Sequence, residues 1–182
     1  MFTGKNVKLS HYHEGDGNDF ANWQWDENFI NPLSDDVIHP FTAEDWEKIF
    51  RNSSRSDENV EFTVRKVDDD SLIGFVSLSN ISIRNHSCEL GIGFPREQDR
   101  SKGYGQETLS LILNYGFNNL NMHKIKLSVF PFNTGAVKAY TKAGFVKEGT
   151  SKNEVFYDGK WVDFDHYAIF QEDWLAGSKS KE

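Results

Sequence analysis

The chain has 182 residues, 37% of them hydrophobic and 26% charged, with 15 Phe and 5 Trp. That length suits one domain, and so much aromatic surface can offset the ordering entropy that keeps apolar-poor chains unfolded. No apolar run approaches the roughly 18 residues of a membrane span, residues 1–10 contain no apolar leader segment, and a single cysteine, Cys88, excludes an internal disulfide or a CxxC metal site.

These features predict a soluble, reduced, cytoplasmic protein: one domain over residues 1–175, followed by a flexible tail over 176–182. The net charge is −8. Residues 1–60 set five Lys or Arg against twelve Asp or Glu, whereas residues 61–182 set fifteen against sixteen. A nucleic-acid partner is not expected, because counterion release drives that association with a basic protein, and without an apolar span no membrane partner is expected. An acidic first third suits a cationic partner, or serves solubility alone.

Alternation of Val7 and Leu9 with Lys8 and Ser10 predicts a strand over Asn6 to Tyr12. A short helix from Asp19 to Trp25 follows, with Phe20 and Trp23 on one face, then an irregular stretch from Asn28 to Pro40. Thr42 before Glu44 and Asp45 reads as a helix N-cap, and that helix runs to about Asn52. Glu61 to Val67 and Ser71 to Ile83 form a hairpin turning at Asp68-Asp69-Asp70, with a bulge at Gly74. Ser87 to Phe94 is the next strand. Apolar residues at Leu109, Ile112, Leu113, Phe117 and Leu120 then recur at helical spacing from Gly105 onward. Ile125, Leu127 and Val129 mark a strand that stops at Pro131, and Asn133 caps a helix over Ala136 to Lys142, closed by Gly144. The final hairpin pairs Phe145 to Tyr157 with Trp161 to Phe170 around Asp158-Gly159, a type I′ signal. The predicted architecture is an α/β mixed sheet with helices on both faces.

The chemistry concentrates at Arg100-Ser-Lys-Gly103-Tyr-Gly105, between a strand and a long helix. Glycines there let a ligand approach the backbone, and the first N–H groups of the helix point at one spot. Such a spot binds phosphate even in an acidic protein. By itself a glycine turn before a helix is as often structural, and this one is neither a P-loop nor a GxGxxG. The second constellation is Asn133-x-x-Ala136-x-x-x-Tyr140-x-x-x-Gly144-Phe145. Tyr140 taken alone would be core filler; the unbroken order of loop, helix, strand and helix changes that reading.

In these motifs the stretch from about Val60 to Phe170 resembles the GNAT superfamily of acetyl-CoA-dependent N-acetyltransferases. Leu120-Asn-Met-His-Lys-Ile125 and Phe145-x-x-Glu148-Gly149 are similar to its RimJ/RimL-type branch, which includes bacterial spermidine N-acetyltransferases. The resemblance implies the GNAT fold, a mostly antiparallel sheet whose central parallel strands splay around acetyl-CoA. Ile92, Gly93 and Phe94 would meet the pantetheine and thioester; Arg100, Ser101, Lys102, Gly103, Tyr104, Gly105 and Gln106 the pyrophosphate. Asn133 and Lys138 would also contact the cofactor. Tyr140 would be the general acid for the CoA thiolate and Glu89 the base, with no metal; His86, His123 and Asp165 are weaker candidates for the base.

The implied function is transfer of an acetyl group to a primary amine of a cationic acceptor: a polyamine, an aminoglycoside-like compound or a basic protein N-terminus. A non-catalytic acetyl-CoA sensor is the alternative. Spermidine acetyltransferases carry an acidic residue at the position of Ser77 and a Glu pair where Asp35-Asp36 stand, so the chain departs from their regulatory site. The aromatic residues Phe156, Tyr157 and Trp161 on the last hairpin would mark a homo-oligomer contact or an acceptor pocket.

Overall fold

A computed structural model describes residues 1–33, 37–53 and 57–179. The elements, in chain order, are β1 (Val7–Ser10), α1 (Asp16–Trp23), α2 (Glu27–Ile30), α3 (Ala43–Ser53), β2 (Val60–Lys66), β3 (Leu72–Ser82), β4 (Ser87–Gly93), α4 (Tyr104–Asn118), β5 (Lys124–Val129), α5 (Thr134–Ala143), β6 (Val146–Tyr157), β7 (Lys160–Phe170) and α6 (Gln171–Lys179). The strands form one sheet in the order β1-β2-β3-β4-β5-β7-β6. All neighbours are antiparallel except β4 and β5, which pair in parallel over Ser87–Lys124, Cys88–Ile125 and Glu89–Lys126. Beyond Glu89 and Lys126 the two strands continue without pairing, and the sheet opens as a fork.

Most predicted elements are present within a few residues. Asp158 (φ 46°) and Gly159 (φ 76°) make the expected type I′ turn. Thr42 and Asp45 form a reciprocal cap: the Asp45 N–H donates to Thr42 Oγ1, and the Thr42 N–H donates to Asp45. The bulge lies beside Gly74, where register slips from Val64–Gly74 to Arg65–Leu72 and leaves Ile73 as the extra residue. This offset puts Leu72 and Phe75 toward one core cluster and Ile73, Val76 and Leu78 toward the other.

Two readings need correction. The stretch from Asn28 to Pro40 is not wholly irregular, since α2 occupies Glu27–Ile30 with Asp26 accepting from the Asn28 N–H. A helix, α6, runs from Gln171 to Lys179 through the boundary placed at residue 175. Trp174 packs on Phe117 at 5.6 Å between ring centres, so tertiary contact carries a segment of weak amphipathic pattern.

The larger core lies between one sheet face and helices α4 and α5, where Ile112, Leu113 and Phe117 are buried. Each such side chain contributes roughly 1.5–3 kcal/mol by leaving water. The smaller core lies on the opposite face, where Phe20, Trp23 and Phe29 of α1 and α2 meet Leu72 and Phe75, with Trp46 and Phe50 of α3 against them. A buried Asp16–Arg65 ion pair fastens α1 to β2. Among the described residues no helix is long and apolar enough to cross a membrane.

Candidate active site

A cleft of about 390 Å³ opens at the end of β4, beside the fork. Its walls include Ile92, Gly93 and Phe94 from β4 and its exit, Arg100 and Ser101 from the glycine loop, Gly105 and Leu109 from α4, and Asn133, Ala136 and Tyr140 from α5 and its cap. The sequence-derived constellations, about thirty residues apart in the chain, therefore converge on one space.

Close backbone approach shapes the fork. A Cβ on Gly74 would stand 2.3 Å from the Gly93 carbonyl oxygen, so β3 can sit beside the end of β4 only with glycine there. Gly103 has φ 87° and forms the N-cap of α4 without a side-chain hydrogen bond. The first backbone N–H groups of α4 are thus left for a ligand, and the helix dipole favours an anion at that end.

The remaining loop residues divide by task. Arg100 turns back on its own loop: Nε donates to the Phe94 carbonyl at 2.9 Å and Nη2 to the Pro95 carbonyl at 2.8 Å. Gln106 Nε2 donates to the Ala139 carbonyl at 2.8 Å and ties α4 to α5. Lys102 and Lys138 are exposed, and their charges are available to a phosphate. Ser101 lines the cleft with φ 59°, whereas Tyr104 is half-buried behind it.

Asn133, which lines the cleft, caps α5 by accepting the Ala136 N–H at 3.2 Å through Oδ1, and its Nδ2 donors take no part in the cap. Tyr140 is buried on the same helix, and no described residue hydrogen-bonds its hydroxyl. Burial pushes its phenol up to about 12. The phenol therefore stays protonated throughout the neutral range and can donate.

Glu89 stands at the last paired rung of the fork, half exposed, on the sheet face away from α4. Lys126 Nζ approaches one of its oxygens at 3.2 Å, and Asn80 Nδ2 donates to the other at 3.0 Å. Cys88 points the opposite way into the core, where burial raises its thiol to about 12 and leaves it inert. The weaker candidates are engaged elsewhere. His86 meets the Asn121 carbonyl, His123 lies against Phe170, and Asp165 holds Thr150 and Lys147.

Sequence reasoning missed the far wall, made by Asn28, Phe29, Pro32 and Leu33, together with Asp99, Gly135 and Ala139. The N-capping Asp26 was the available signal for α2. What placed Phe29 at the cleft was its packing near Gly93 and Phe75, which no local pattern encodes. Asp35 and Asp36 lie outside the described residues.

The residues fit a CoA thioester: unspent helix N–H groups at the start of α4 for a pyrophosphate, and in the cleft the hydroxyl of the buried Tyr140 ring as a donor for a leaving sulfur. The model of the acetyltransferase (GNAT) domain matches residues 6–146. An uncharacterized N-acetyltransferase of Bacillus subtilis is 32% identical over 163 residues, covering 86% of this chain and 92% of that protein. The spermidine N(1)-acetyltransferase of Vibrio cholerae is 36% identical over 108 residues, 59% of this chain and 62% of that one. The crystal structure of spermidine N-acetyltransferase from Vibrio cholerae with CoA and spermine superposes with a TM-score of 0.83 at 27% identity, covering 93% of this chain and 98% of that one.

Proposed function

The chain belongs to the GNAT family of N-acetyltransferases, and from that premise we propose that it moves the acetyl group of acetyl-CoA to a primary amine of a polyamine-like cation. The observation that carries this reading is the cleft beside the β4–β5 fork. It joins the start of α4, Asn133 and Tyr140 to the end of β4 and to α2. The two substrates meet across the sheet, each reaching the fork from its own face.

The pyrophosphate lies against the N-terminal N–H groups of α4, with Lys102 and Lys138 alongside and Arg100 bracing the loop. Asn133 Nδ2 bonds the pantetheine arm, and a backbone N–H from Ile92 to Phe94 bonds the thioester carbonyl as charge develops on it. Tyr140 donates to the departing sulfur. Burial keeps that phenol protonated at neutral pH, so it can supply the proton.

On the acceptor side Glu89 holds the ammonium group after exchanging Lys126 for the acceptor. Asp26, Glu27 and Glu44 are exposed on and beside the N-terminal helices and concentrate cations there. The likeness to spermidine acetyltransferases supports a polyamine, while Ser77 removes the acidic residue of their regulatory site. In this reading the protein works in the cytoplasm, where acetyl-CoA is made. Copies meet through the exposed Phe156–Trp161 ring pair, in keeping with the dodecameric Vibrio cholerae neighbour.

A CoA-release assay with acetyl-CoA and spermidine, spermine, an aminoglycoside, free amino acids and basic N-terminal peptides tests the reading. Turnover should be confined to one cationic amine class, and Tyr140→Phe should lower it by about tenfold or more. Acetyl-CoA binding without turnover of any amine would favour a sensor, and absence of acetyl-CoA binding would overturn the assignment.

A further inference from the structure

Beyond the fork's closed end, the acceptor-facing side of the sheet carries a polar track that the cofactor chemistry leaves unused. Ser128 of β5 pairs directly with His166 of β7, and His166 stands opposite Gly149 of β6. Ser128 Oγ lies 2.9 Å from His166 Nδ1, and Ser151 Oγ lies 2.8 Å from His166 Nε2. Both ring nitrogens are thus held by hydroxyls, which can donate or accept.

The position of this chain of atoms gives it a direction. Ser128 is two residues past Lys126, the last β5 residue paired with β4, so its exposed hydroxyl stands at the lip of the fork. Ser151 ends the chain two strands farther away. A Cβ on Gly149 would meet nothing within 4 Å, so the surface over the imidazole is open on that side. A histidine kept only for packing would not need two serine partners and a glycine neighbour on an open sheet face.

We propose that His166, acting through Ser128, accepts the proton that the acceptor ammonium must lose before it attacks. The inference rests on the acetyltransferase reading given above. The ammonium N–H proton passes to Ser128 Oγ as the Ser128 proton passes to His166 Nδ1, leaving a neutral amine and an imidazolium whose Nε2–H donates to Ser151. The C–N bond then forms and the C–S bond breaks. The proton shed by the new amide nitrogen balances the CoA thiolate, and the imidazolium returns its own proton to solvent. Because imidazole is the side chain that changes charge near neutral pH, it can cycle at working pH. The charged groups facing it are Lys124 and Lys126 on β5, Glu89 on β4 and Glu148 on β6, the last paired with Lys124. Asp165 and Lys147 pair on the reverse side.

His166 is a positioning residue, and the test must separate proton uptake from structure. The full-length protein is used, with spermidine as the amine, for the wild type, His166→Gln, Ser128→Ala and Glu89→Gln. Glutamine preserves a hydrogen bond at each end but cannot titrate. His166→Gln should lower kcat on the order of 10²-fold, leave the spermidine KM within about twofold, and abolish the acidic limb of the pH profile. Glu89→Gln should raise KM and keep that limb. Independently of turnover, imidazole ¹⁵N spectra of the wild type should contain one signal, missing in His166→Gln, that is protonated at Nε2 when neutral. That signal should take up a proton where turnover falls on the acidic side, and should move in Ser128→Ala. An unchanged pH profile in His166→Gln, a non-titrating signal or the opposite tautomer would overturn the relay. If no amine turns over in the wild type, the acetyltransferase reading fails on that result, and the imidazole spectra still decide whether His166 takes up a proton through Ser128.

Discussion

The half of this molecule proposed to hold the cofactor and the half proposed to hold the acceptor are built differently. In the cofactor half, β4, the glycine loop, α4, β5 and α5 follow one another within sixty residues, and backbone geometry does most of the work: unspent N–H groups, a glycine N-cap, an asparagine cap and the hydroxyl of one buried tyrosine. The acceptor half draws on α1 to α3 and on the open face of β4, β5, β6 and β7, segments distant in sequence. Its features are side chains held by ion pairs and hydroxyls: Asp16–Arg65, Arg96–Asp19, Glu89–Lys126 and the serine-held His166. A site for one invariant ligand can be written in backbone; a site for a particular amine has to be written in side chains.

The comparison can be broken most forcefully at Asp16. Asp16→Ala leaves the Arg65 guanidinium buried without its carboxylate, and should cost about 3–5 kcal/mol in denaturant unfolding. If the two halves are as separable as described, acetyl-CoA affinity by calorimetry should survive under folding conditions while the acceptor KM rises. Equal loss of both would show one mechanical unit. Gly74→Ala attacks the fork itself. The added Cβ cannot clear the Gly93 carbonyl, so β3 and β4 must shift, at about 1–3 kcal/mol. Weaker acetyl-CoA binding should accompany that loss, and unchanged binding would show that the end of β4 is not part of the cofactor site. The smallest expected effect is at α3. Thr42→Ala removes half of a reciprocal cap and should cost about 1 kcal/mol in thermal or denaturant unfolding, with kcat unchanged.

Legibility in the sequence followed the same division. Arg100 to Gly105 and Asn133 to Tyr140 could be recognised because each motif is contiguous and its function is local: a helix start, a cap, one turn of helix. Even there the structure adds contacts that the motif does not disclose: Arg100 donates to two loop carbonyls, and Gln106 bridges two helices. Phe29 and Leu33 were not identified at all; Phe29 owes its place at the cleft to packing near Phe75 and Gly93, more than forty positions away.

The sequence by itself determined the alternation of strand and helix, the caps at Thr42 and Asn133, the type I′ turn at Asp158-Gly159 and the glycine loop, since each rests on interactions between residues a few positions apart. Only the tertiary structure decided that β4 and β5 part after Glu89 and Lys126, that α2 closes the far side of the cleft, that α6 docks on Phe117, and that Ser128, His166 and Ser151 fall into line. Those outcomes depend on strand register and on surfaces buried between distant segments, and register is a property of paired strands rather than of either strand alone.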